Sequence, residues 1–248
     1  MIKLDFQETS GTLAAHDQAL VREICDNVDA EIRQHLPGLS PEIHLQFATG
    51  GRTIPQLGFG STAVSKNSIS VRIEPAHPDG CTRIIQKHLR HSLFHECHHL
   101  VRGWVRHGSM RPRALIDAVI CEGLAGAFER DAAGSMPPWC SYPDNVREWL
   151  DELLPLPITA PYSDWMFRHP DGRTWVGYRT GAFIADSAIQ HSGLSAAELV
   201  EVPANEVLRL ANLPLPEPIG NAKIIGHILQ NGIRHMRQRL GSFGQHEK

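Results

Sequence analysis

The stretch Ile84-Ile85-Gln86-Lys87-His88-Leu89-Arg90-His91-Ser92-Leu93-Phe94-His95-Glu96-Cys97-His98-His99-Leu100-Val101 decides how this chain reads. Ile84, Ile85, Leu89, Leu93, Leu100 and Val101 recur at helical steps, so the pattern predicts one long helix over residues 82–106. Its second half carries H-E-x-x-H, from His95 to His99. Residues i and i+4 of a helix stand one turn apart on the same face. Two imidazoles placed in this way can bind one zinc ion, with Glu96 set to reach a water on that ion. Zinc draws the pKa of such a water towards 7. A carboxylate beside it takes the proton as general base and passes it to a leaving amine. The chain holds 15 histidines, and three fixed positions arise more easily by chance in that background, so the surroundings of the motif decide. The plain alternative is a surface helix with solvated histidines.

The surroundings agree. A second helix is expected over 113–132 after a short loop, and it contains Cys121-Glu122-Gly123-Leu124-Ala125. Glu122 follows His99 by 23 residues. Two antiparallel helices at that separation can bring it opposite the histidine pair as a third ligand. Gly123, Ala125 and Gly126 keep the surface small and permit close packing there. Asp117 and Glu129 are competing ligands; Glu129, seven residues on and on the same face, also suits a supporting position. His91 stands one turn before His95, where it either lines the site or packs. His98 lies off the stripe and reads as structural, His88 as solvated. Arg102 reads equally as a partner of a carboxylate and as a surface residue. Cys97 and Cys121 adjoin candidate ligands but point elsewhere, as buried thiols.

Upstream, residues 12–36 form a helical pattern stopped by Pro37-Gly38, and Ile43–Ala48, Leu57–Val64 and Ser68–Glu74 read as strands. Downstream, helices are expected at 144–154, Val176–Ser192, 195–201, 204–212 and 221–240, with a Pro-rich segment at 155–161. Gly58-Phe59-Gly60-Ser61-Thr62-Ala63 matches a dinucleotide-binding fingerprint. That motif needs a helix to begin at its turn, and the residues beyond it read as strand. There is no G-K-[ST] phosphate loop and no G-x-S-x-G elbow. The fold expected is α+β and mostly helical, one domain over 1–248. Residues 1–80 supply a helix and a small sheet, and 81–248 the helical part with the metal site.

Composition narrows the class. The 248 residues are 42% hydrophobic and 21% charged, with a net charge of −3. These values exclude a disordered or collagen-like chain and show no basic excess for nucleic acid. No apolar run approaches a membrane span. The five cysteines are an odd count without C-x-x-C and read as reduced thiols. The mixed start Met1-Ile2-Lys3-Leu4-Asp5-Phe6 lacks a signal-peptide layout, so the cytoplasm is the expected compartment.

His95-Glu96-x-x-His99 followed by Glu122-Gly123-Leu124-Ala125 resembles the gluzincin metallopeptidases, whose third zinc ligand is a glutamate in a following helix. The run His95 to Arg102, then Glu122 to Ala125, is most similar to the YjaZ-like family of predicted zinc-dependent proteases, over roughly residues 80–185. The resemblance implies a zincin-like fold and one Zn2+ per chain held by His95, His99 and Glu122. It implies Glu96 as catalytic base and a peptide or protein as substrate. Gluzincins commonly take an oxyanion donor from a later helix. Tyr178, three residues before Gly181, fits that part, with His169 and Arg179 as rivals. One such donor is worth about 3 kcal/mol in the transition state. The family layout also implies that strands 57–64 and 68–74 supply the edge along which an extended peptide pairs. Two other readings keep the metal: a zinc hydrolase of a non-peptide amide or ester, and a zinc-binding regulatory domain without catalysis.

Overall fold

The computed structural model describes residues 1–7, 13–107 and 114–216. The elements below all lie in one compact unit, Met1–Leu215. The expected helix at 221–240 falls outside the described residues.

Strand β1 (Ile2–Gln7) is followed by helix α1 (Ala15–His35), strands β2 (Ile43–Thr49), β3 (Phe59–Ser65) and β4 (Ser68–Ile73), and helix α2 (Gly80–Arg102). The sheet order is β1-β2-β4-β3. β1 and β4 both run parallel to β2, and β3 runs antiparallel to β4 at the outer edge. Alternation places Ile43, Leu45, Phe47, Ile69, Val71 and Ile73 in the core, while His44 and Gln46 turn away. Against this apolar face lie α1, through Val21, Cys25, Val28 and Ile32, and α2, through Ile84, Ile85, Leu89 and Leu93. Burying each such side chain contributes roughly 1.5–3 kcal/mol.

The rest is helical: α3 (Leu115–Ala133), a 3-10 turn at Pro138–Cys140, α4 (Val146–Leu153), α5 (Tyr162–Met166), α6 (Val176–Ser192) and α7 (Ala204–Leu210). The chain is thus α+β and mostly helical, with a small mixed sheet. Among the described residues no helix is long and apolar enough to cross a membrane.

Two expectations are corrected, and two elements appear where none was expected. The N-terminal residues form a strand, β1, because Ile2, Leu4 and Phe6 alternate and pair with β2. The long helix ends at Arg102 rather than 106. Gly103 takes the left-handed conformation (φ 72°), and its N–H and that of Trp104 close back on Leu100 and His99. Residues 195–201 form turns instead of a helix. Arg102 claims the carbonyls of Leu199, Val200 and Val202 at 3.3, 2.9 and 3.0 Å, and Pro203 disfavours helical backbone before it. Finally, α5 follows the Pro-rich segment 155–161, over residues for which no element was expected.

Helices α3 and α6 meet at two glycines. A Cβ on Gly123 would overlap the backbone of Gly181, and one on Gly181 would overlap the carbonyl of Val119. This close crossing sets Glu122, one residue before Gly123, beside Tyr178, one turn before Gly181.

Candidate metal centre

Helix α2 presents His95 and His99 on one face, and α3 brings Glu122 across from them. The Nε2 atoms of His95 and His99 are 3.0 Å apart, and Oε2 of Glu122 lies 3.2 Å from the first and 3.3 Å from the second. Four-coordinate zinc with nitrogen or oxygen ligands at about 2.0–2.1 Å requires donor separations of about 3.3 Å, so the three atoms fit such an ion. All three residues are buried, and they are the one group among the described residues with metal-holding geometry. Two imidazoles and a carboxylate are a zinc donor set.

Two of the three ligands are braced, His95 and Glu122, whereas Nδ1 of His99 has no partner among the described residues. Nδ1 of His95 lies 3.3 Å from Oε2 of buried Glu129, and Glu129 in turn accepts the Ser135 hydroxyl at 2.9 Å. Glu129 therefore stands behind a ligand rather than among the ligands. The other oxygen of Glu122 accepts the indole N–H of Trp104 at 3.2 Å, and the Glu122 charge acts on the Tyr178 hydroxyl. Trp104 reaches it because the Gly103 turn redirects the chain at the end of α2. Glu96, beside His95, is also buried, and its Oε1 accepts the Ser61 hydroxyl of β3 at 2.6 Å. One carboxylate oxygen is thus fixed by the sheet edge.

Burial opposes charge at these groups, but their neighbours overcome it. Desolvation works against the imidazolium of His95, yet Glu122 and Glu129 raise its pKa well above the ordinary value. Desolvation likewise works against the Glu122 carboxylate, and His99 and His95 hold its pKa far below the usual range. The Tyr178 phenol is pushed well up by burial and by the Glu122 charge, so it remains a donor. Its ring is held by Trp139, Phe167 and Trp175 at 6.1, 6.3 and 5.7 Å between centroids. Trp175 itself, at the start of α6, has a left-handed φ of 60°, a strained conformation for a bulky residue and one concentrated at functional sites.

The remaining candidates lie elsewhere. Asp117 lines a cavity of about 370 Å3 with Arg102, Trp104 and Cys121. Arg102 pairs with no carboxylate of the site; besides its carbonyl partners it donates to Cys121 Sγ at 3.1 Å. His169 pairs with Asp171 at 2.9 Å and stacks on Trp165. The Nε of Arg179 has no partner among the described residues. Among the described residues no hydrogen bond or ion pair joins either of these rivals of Tyr178 to the ligand cluster. His98 is structural as expected, with Nε2 3.2 Å from the Ala196 carbonyl and its ring on Phe128. His88 is half-buried against Phe59, not solvated. His91 packs with Nδ1 unpartnered among the described residues. Cys97 and Cys121 are buried thiols, and burial pushes Cys121 to about 11. The sequence reading missed Ser61, Trp104 and Ser135, which carry no motif of their own.

A family model described as "Predicted Zn-dependent protease (DUF2268)" matches residues 31–209, and the chain belongs to that family. Zinc dependence is implied by the family's name. Among solved structures, the chain is similar to an aminopeptidase N family protein from Idiomarina loihiensis, at 14% identity and a TM-score of 0.44. The match covers 89% of this chain and 42% of that one, so the chain spans less than half the length of that protein. No curated protein matches.

Proposed function

We propose that the protein is a zinc-dependent peptidase of gluzincin type, with a zincin-like fold, close to the YjaZ-like group. The observation that carries this reading is the convergence of His95 Nε2, His99 Nε2 and Glu122 Oε2 on one point, with Glu96 on the same helix. His95, His99 and Glu122 hold the ion. Zinc, when bound, supplies a Lewis acid that acidifies water and polarises a carbonyl. Glu96 takes the proton of the attacking water on the oxygen left free by Ser61, then delivers it to the amide nitrogen as the C–N bond breaks. Tyr178, protonated and fixed among aromatic rings, donates a hydrogen bond to the oxyanion formed from the substrate carbonyl. Trp104 and Glu129 hold Glu122 and His95 in place for the whole cycle. The peptide itself lies along β3, the strand at the sheet edge; β4 is interior, so the edge role falls on β3 alone.

The test is Glu96→Gln in the zinc-loaded protein with a panel of peptide and small amide or ester substrates. Zinc content is expected to stay at one per chain while hydrolysis falls by about 10²–10⁴-fold, the usual worth of a general base. Peptide hydrolysis equal to wild type would overturn the mechanism. Turnover confined to the small amides or esters would move the substrate class and leave the site intact.

A further inference from the structure

Strand β3 has β4 on one side and no strand on the other. Much of that open side is nonetheless taken by the chain itself. Ile54 N–H donates to the Phe59 carbonyl at 2.9 Å, and Arg106 and His107 N–H donate to the Ala63 and Val64 carbonyls, each at 2.9 Å. In an antiparallel pair, alternate residues point their N–H and C=O to the same side. Phe59 and Ala63 point outward, so Ser61 between them does too, while Gly60 and Thr62 turn towards β4. The Ser61 N–H has no partner among the described residues. Its carbonyl accepts the Thr62 hydroxyl at 2.6 Å, which leaves one lone pair.

This single opening faces the candidate metal centre. The Ser61 side chain reaches Glu96. Trp104, two residues before Arg106, reaches Glu122. At the other end, the Arg52 guanidinium lies over the Phe167 ring at 5.6 Å from its centre, linking the 50–54 loop to the residues before α6. From Phe59 to Ala63 is four strand steps, about 13 Å.

Resting on the peptidase reading above, we infer that the cleft is built for short oligopeptides. The substrate pairs its backbone with Ser61 alone, and about three of its residues lie between the Ile54 and Arg106 plugs. A longer chain bends away at both ends and gains no further backbone pairing from β3. The length limit therefore resides in the residues that cap the edge, not in the ligand cluster.

The probe is a series of capped alanine peptides of two to eight residues, each with a phosphinate at its central bond, bound to zinc-loaded wild type and followed by calorimetry. Affinity is expected to rise to about three residues and then to change by less than about twofold, since no further backbone hydrogen bond forms. In the double variant Arg106→Pro/His107→Pro, which removes both donors, each new pairing is expected to strengthen the six-residue probe by about fivefold. Wild-type amide exchange needs no variant: Ser61 is expected to slow when the shortest probe binds, with Gly60 and Thr62 unchanged. Affinity that keeps climbing to eight residues, or unaltered Ser61 exchange on binding, overturns the length limit and spares the peptidase reading. Failure of every probe to bind overturns both.

Discussion

Glu129 Oε2 stands 3.3 Å from Nδ1 of His95, while Nε2 of the same ring stands 3.2 Å from Glu122. One imidazole is held between two carboxylates from one helix, seven residues apart. Removing the outer carboxylate frees the ring to turn. Glu129→Ala is expected to weaken zinc binding by about 10–100-fold, the usual cost of losing such a partner. Competition against a chelator of known affinity measures it, and unchanged affinity would show that Glu129 is not holding the ring.

The same pair of carboxylates makes metal binding depend on pH. In metal-free protein the His95 pKa is raised well above its ordinary value, so the ring is charged at neutral pH. Its favourable interaction is present at low pH and is lost as pH rises through the raised pKa. Zinc needs the neutral ring, so binding at pH 7 is expected to release about one proton, with affinity falling as pH falls. Calorimetry in buffers of different ionisation enthalpy counts the proton; none released would contradict the charge assigned to His95.

The crossing of α3 and α6 has no room for a methyl group. Gly181→Ala places a Cβ into the Val119 carbonyl and against Gly123. The helices must part, at a cost of about 3 kcal/mol. Urea unfolding is expected to report that loss, together with weaker zinc binding because Glu122 rides on the displaced helix. Gly172→Ala is the control, because a Cβ there meets nothing within 4 Å and only its positive φ of 96° resists the change.

Tyr178→Phe removes one hydroxyl and leaves the aromatic packing in place. On the proposed mechanism, kcat falls by about 10²–10³-fold, with KM and zinc content near wild type. A fall in zinc content of the same size would instead assign the hydroxyl to holding Glu122.

Much of the architecture was legible beforehand where periodicity was long and unbroken. The apolar stripes of α1, α2, α3 and α6 and the alternation in β2, β3 and β4 each pointed to the element found. β1 was harder to read because a half-buried strand six residues long looks like a mixed terminus until its partner is known. Residues 195–201 form turns where a helix was expected because Arg102, nearly a hundred residues away, takes the carbonyls of Leu199, Val200 and Val202.

The sequence by itself determined the His95–His99 pair, because their spacing becomes a shared face through local helix geometry alone. Tertiary structure decided the rest of the centre. Glu122 is one of four carboxylates on its helix, and only the packing of α3 on α2 selected it as the third donor and put Glu129 behind His95. Ser61, Trp104 and Ser135 are ordinary residues whose contacts come from a strand edge, a helix-ending turn and a helix end meeting in space. Such contacts depend on how distant elements dock, which no local spacing encodes.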